Sequence, residues 1–133
     1  MTSRTATCSC GQLRVTCQGE PVRRSICHCL ECQKRTGSVF AVQARFPRAA
    51  VVIEGRSSTW ARRGDSGQSA TFRFCPVCGA TICWEAEGVP GFVTVAVGAF
   101  ADPGFPEPQV SVYEERCHPW ALAVSALPIP HEV

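Results

Sequence analysis

The chain has 133 residues, 10 of them cysteine, with 13 Lys+Arg against 11 Asp+Glu and a formal net charge of +2. A chain of this length buries enough surface to fold without covalent cross-links, so its cysteines need a chemical reason. The near-balanced charge, with no basic block, gives nucleic acid no support, and no apolar run reaches the ~18 residues of a membrane-spanning helix.

In chain order, the first fifteen residues, "MTSRTATCSCGQLRV", contain no apolar h-region of a secretory signal. That points to a cytoplasmic, reducing location, where cysteines bind metal rather than one another. "LRVTC" at 13–17 alternates Leu13, Val15 and Cys17 with polar residues, as a half-buried strand does. A short helix is expected after Cys29 through "LECQKRT", with Gly37 ending it. Further strands are expected at 39–46, 50–55, 58–63, 70–75, 81–87, 92–100 and 109–115, separated by turns rich in Gly, Pro, Asp and Ser. The ending "HPWALAVSALPIPHEV" carries three prolines and reads as an irregular segment wrapping the body. The whole is expected to form one mainly β domain over residues 5–130. Trp60, Phe72, Phe74, Trp84 and Phe92 fall in strand patterns and are expected to pack between sheets.

The cysteines form three clusters: "CSCG" with Cys8 and Cys10, "CHCLEC" with Cys27, Cys29 and Cys32, and "CPVCG" with Cys75 and Cys78. A C-x-x-C pair chelates one ion from a tight knuckle, and the glycine that follows supplies a positive φ. "CPVCG" gives only two of the four ligands a structural zinc takes, and "CSCG" offers two more, with Gly11 placed as Gly79 is. Pairing Cys8 and Cys10 with Cys75 and Cys78 gives a closed, all-thiolate site.

"CHCLEC" then stands alone with three thiolates, one short of a full zinc shell, as in a site with an open position. If residues 22–29 are extended, Cys27 and Cys29 face one way and His28 the other, which makes His28 a surface or core residue. Cys17, Cys83 or Cys117 could still close the site, and a metal-free trio or a disulfide are the other readings. Cys17 and Cys83 are expected to be buried, reduced, small apolar residues, with Cys117 more exposed.

The order "C-x-C-G", "CHCLECQKRTGS", "CPVCGATI", together with the ending "VSVYEERCHPWALAVSALP", resembles the glutathione-dependent formaldehyde-activating enzymes and their relatives, which include the centromere protein V group. The resemblance implies a mostly β fold of several small packed antiparallel sheets stapled by zinc, with one short helix. It implies one structural zinc on Cys8, Cys10, Cys75 and Cys78, and a second, more labile one on Cys27, Cys29 and Cys32. It further implies carbon–sulfur lyase-type chemistry, in which the thiol of glutathione adds to formaldehyde to give S-hydroxymethylglutathione. Partners would then be glutathione, or another small thiol, and an aldehyde, with no role for nucleic acid or membrane.

Glutathione carries two carboxylates, and the nearby cations Lys34 and Arg35, with Arg62 and Arg63, are candidates to meet them. Thr36 and Ser38 read as helix-end residues, and Trp120 as a possible cover for the open site. Two other functions fit the same cysteines: a non-enzymatic zinc module that binds a partner, and a sensor whose trio releases zinc on oxidation.

Overall fold

The computed structural model describes residues 2–64 and 66–131. Alternating apolar and polar residues build strands β1 (Ser3–Thr7), β2 (Arg14–Gln18), β3 (Arg23–Cys27), β4 (Ala41–Pro47), β5 (Val51–Glu54), β6 (Ser58–Arg63), β7 (Ser69–Phe74), β8 (Thr81–Ala86), β9 (Phe92–Ala96) and β10 (Val110–Val112). One helix, α1 (Leu30–Thr36), begins at Cys29 as its N-cap and ends at Gly37 in the left-handed conformation, φ 68°. The mainly β fold with one short helix therefore stands as the sequence implied.

The strands form two sheets, one ordered β1-β2-β5 and the other β10-β3-β4-β9-β8-β7-β6. Every pairing is antiparallel except that of β10 with β3. Strand β1 lies outside the strands expected from sequence, because "SRTAT" carries little apolar signal. It is held by pairing with β2, Ala6 opposite Val15. Two expected strands end early. β9 stops at Ala96 and passes into a 3-10 turn, Val97–Phe100, and β10 stops at Val112 before Tyr113 takes the left-handed region at φ 57°. The C-terminal segment is irregular, as its prolines suggest, with 3-10 turns at Ala121–Ala126.

The two sheets pack face to face over one core. Ala6, Val15, Cys17 and Val51 come from the small sheet, and Ala44, Phe46, Cys83, Val93 and Val95 from the large one. Register explains the large sheet's contribution, since Phe46 pairs with Val93 and Ala44 with Val95. Burying each such Val or Phe contributes about 1.5–3 kcal/mol. Cys17 and Cys83 belong to this core, and burial pushes their thiols up to about 12 and about 11, so both stay protonated.

The opposite face of the large sheet carries a different row. Reading across the register gives Arg23, Arg45, Thr94, Trp84, Phe72 and Trp60 on neighbouring strands. The aromatic residues of this row thus do not pack between the sheets as expected. Phe72 and Trp84 are buried in the outer row, and Trp60 is 55% exposed. The outer face is the floor on which the pocket described below is built.

One glycine is fixed by close approach. At the end of β5, Gly55 has φ 96°, and a Cβ there would collide with the backbone carbonyl of Gln12. Gly55→Ala should cost about 2 kcal/mol or more, because strain and a backbone clash combine. Gly37→Ala, left-handed but with nothing within 4 Å, should cost about 1 kcal/mol. Urea unfolding of the metal-loaded variants checks this order, and equal losses would contradict it.

Candidate metal centres and the pocket beside one of them

Two turns of matching construction bring the first four thiols together. In each, a cysteine N–H reaches forward to close a loop: Cys8 to the carbonyl of Leu13, and Cys75 to that of Ala80, both at 3.0 Å. A glycine with positive φ then bonds back, Gly11 to the Cys8 carbonyl and Gly79 to the Cys75 carbonyl. The result places the sulfurs of Cys8, Cys10, Cys75 and Cys78 within 4.8 Å of one another. The Cys8–Cys10 separation is 3.6 Å and the Cys10–Cys75 separation 3.7 Å. A tetrahedral ion with metal–sulfur bonds near 2.3 Å requires about 3.8 Å between sulfurs, so the donor set fits.

Donors surround these sulfurs. The Leu13 N–H donates to Cys8 Sγ at 3.3 Å, and the Val77 N–H to Cys75 Sγ at 3.4 Å. The Gln12 side-chain amide donates to Cys75 Sγ at 2.9 Å, while its oxygen accepts from the Arg56 N–H. Burial would raise the Cys75 pKa, but the Cys78 N–H, the Gln12 amide and the Val77 N–H outweigh it and hold the thiol at about 6.

The second group is Cys27, Cys29 and Cys32, whose sulfurs also lie within 4.8 Å of one another. Cys27 ends β3, Cys29 caps α1, and Cys32 sits in its first turn, where its N–H donates to Cys29 Sγ at 3.3 Å. Cys27 donates its proton to Cys32, which lowers Cys32 to about 5 against the opposing effect of burial. Cys29 and the Arg35 guanidinium lower it further. The same hydrogen bond, and then burial, push Cys27 up. One thiolate and its donor thus stand ready at neutral pH.

His28 does not join them. It is fully buried on the other side of the chain, with Nε2 3.0 Å from Ser111 Oγ and its ring 5.9 Å from that of Phe40. Of the two expectations for it, the core position is the one observed. Cys17, Cys83 and Cys117 lie outside both groups. All ten cysteines are unbridged.

The C-terminal half braces the trio. His28 donates its N–H to the Val112 carbonyl, and the Gln33 amide donates to the carbonyls of His28 and Arg116, at 2.9 and 3.0 Å. Gln33 Oε1 also faces His118 Nε2 at 3.1 Å.

A cavity of about 470 Å³ opens beside Cys27, Cys29 and Cys32. Its floor is the outer row of the large sheet, its near wall is α1, and Tyr113, Glu115 and Arg116 close one side. Lys34 lines it, 3.8 Å from Glu31. Arg35 lies over Trp84 at 4.2 Å and over Phe72 at 5.2 Å, with its guanidinium 4.0 Å from Cys32 Sγ. Arg62 reaches the cavity over Phe72, whereas Arg63 does not line it. Thr36 bonds the Cys32 carbonyl and accepts from the Ser38 N–H, the helix-end role expected of them. Trp120 is 44% exposed, sits edge-on to His118 and does not cover the trio. Arg45, Gln43 and Thr94 also line the cavity and were missed from sequence, because only strand register turns them toward it.

Fold and sites together define a two-sheet β protein with one four-cysteine and one three-cysteine group, each positioned to hold a metal ion. The family model described as glutathione-dependent formaldehyde-activating enzyme matches residues 3–116, and the chain belongs to this family. A crystal structure of a Rhodobacter sphaeroides protein matches with a TM-score of 0.57 and 19% identity, over 80% of this chain and 97% of that one, a likeness of fold. The comparison with curated proteins gives no significant match. Among the described residues no helix is long and apolar enough to cross a membrane.

Two outcomes are expected. Cys78→Ser should leave the protein without a cooperative thermal transition, because a site of this kind carries much of a small domain's folding energy. An unchanged melting temperature would contradict it. In protein whose four-cysteine site is loaded and whose trio is stripped by mild chelation, the depressed pKa keeps Cys32 ionised at pH 7 and lets it protonate only as pH falls through about 5. Iodoacetamide labelling, read by peptide mass spectrometry, should follow that midpoint at Cys32, while Cys27 stays slow at neutral pH.

Proposed function

We propose that this chain, acting as a single domain over residues 5–130, adds the thiol of glutathione to formaldehyde to give S-hydroxymethylglutathione, and catalyses the reverse. The observation that carries the reading is the cysteine trio, which opens onto a cavity large enough for a peptide-sized ligand. Family membership supports the formaldehyde-activating part of it. Cys8, Cys10, Cys75 and Cys78 would hold a structural zinc, and Cys27, Cys29 and Cys32 a second, more labile one.

Zinc in the second site would supply an electrophilic centre at which an incoming thiol loses its proton near neutral pH. The chain's own residues do the rest. Cys27, Cys29 and Cys32 would hold that ion at one end of the cavity, which sets where the reacting sulfur stands. The sulfur attacks the carbonyl carbon, the new carbon–sulfur bond replaces the carbonyl π bond, and the oxygen takes a proton from water. Lys34 and Arg35, on the wall formed by α1, provide positive charge for the ligand's carboxylates. The stacking of Arg35 on Trp84 and Phe72 keeps its guanidinium in place before the ligand arrives. Cytoplasmic location accords with the reading, since the thiols must stay reduced.

The test is exchange spectroscopy with ¹³C-formaldehyde and glutathione. Zinc-loaded protein should speed interconversion of free and adduct carbon above the spontaneous rate. The double variant Cys27→Ser, Cys29→Ser should lose that acceleration by about a hundredfold or more, while circular dichroism and one bound zinc survive. Full acceleration by the double variant would overturn the assignment of the trio.

A further inference from the structure

We propose that Arg45, with Gln43 and Thr94 beside it, seats a carboxylate of the ligand whose sulfur the cysteine trio receives, so that the pocket selects a peptide-sized anionic thiol over a short one. The proposal rests on the thiol reading of the site and names the feature that sets its specificity.

Arg45 stands on β4, with β3 on one side and β9 on the other. Its partner across β3 is Arg23, so two positive charges face each other directly in a sheet, an arrangement that costs stability. Its partner across β9 is Thr94, 7% exposed. Among the described residues neither arginine forms an ion pair, and Arg45 Nε is buried without a hydrogen-bond partner. Burial, and then Arg23, press the Arg45 pKa down. A guanidinium kept in this position favours an anion beside it, and no carboxylate of the described residues lies within ion-pair distance, although Glu31 and Glu115 line the same cavity.

The other cations of the pocket stand differently. Lys34 is exposed beside Glu31, Arg116 is exposed at the cavity's side, and Arg35 and Arg62, whose Nε atoms are also unpartnered, lie over aromatic rings. They can meet one carboxylate of a dianionic ligand, which leaves Arg45, opposed by Arg23 across the sheet, for the other. Distance gives the ligand's size. Cys27 pairs with Ala41, four residues along β4 from Arg45, which is about 13 Å at strand rise. An arginine side chain takes up part of that span, and a ligand of about three residues, near 3.5 Å each, covers about 10 Å. A thiol of two or three carbons cannot hold both ends at once.

Calorimetry on metal-loaded protein with S-methylglutathione, whose sulfur has no proton to lose, separates this proposal from the thiol chemistry. Wild type should bind S-methylglutathione about tenfold to a hundredfold more tightly than one of its two mono-amides. Arg45→Met should bind acid and amide equally, at the amide's affinity, and melt no lower than wild type, because the facing charges are gone. Arg45→Lys should recover part of the preference. Equal binding of S-methylglutathione by wild type and Arg45→Met, no binding by wild type, or a loss in Arg45→Met that is the same for acid and amides would each overturn the proposal. Failure of the thiol reading shows separately, as a cobalt-substituted spectrum that glutathione leaves unchanged.

Discussion

Four sulfurs held within 4.8 Å of one another are the constraint on which the rest of this structure depends. At about 3.7 Å, two thiolates repel by about 1 kcal/mol even at the dielectric of water, and by several times more near a protein interior. The surroundings divide the charge: at Cys75 burial is outweighed by N–H donors, which hold it at about 6, whereas at Cys10 the Gln12 N–H is outweighed by burial and the neighbouring sulfurs, which push it up to about 11. Without an ion these two sulfurs share a proton across 3.7 Å; a cation among the four would replace such protons and let every thiol ionise. Cys8 and Cys10 follow β1 of the small sheet, and Cys75 and Cys78 follow β7 of the large one. An ion held at this point would dock one sheet on the other and secure the core between them.

The same element works differently in the second group. Three sulfurs collect at the junction of β3 and α1, with no fourth protein ligand among the described residues. His28, the obvious candidate, is turned away by strand alternation and packed into the interior. What faces the trio is a cavity, floored by the outer row of the large sheet. The four-cysteine group lies where an ion would join the two sheets, and the three-cysteine group lies where a ligand can reach it. On our proposed reading, the fold uses identical donors to separate stability from chemistry by the number of ligands alone.

Much of this was legible in the sequence, for physical reasons. Ligand spacing is a local property, so the partition of seven cysteines into a four and a three could be reasoned from the glycines and pairings alone. The helix could be placed because Cys29 and Gly37 bracket it. The outer row was not legible. Arg45, Thr94, Trp84 and Phe72 are scattered along the chain, and only long-range register lines them up. For the same reason the aromatic residues were assigned to the core. A strand pattern shows that a residue alternates, but not which of two faces meets the other sheet. β1 has little sequence signal of its own, because its pairing with β2, not its composition, makes it a strand.

The central claim is that the chain holds two metal ions of unequal security, one closing the fold and one open to ligand. Native mass spectrometry of reduced, zinc-loaded protein during stepwise chelation tests it most directly. The account predicts two zinc ions per chain at the outset. It predicts a long interval with one zinc and an unchanged, compact charge-state distribution, and unfolding only when the last ion leaves. A chain that never carries more than one zinc, or that unfolds as the first of two departs, would contradict it.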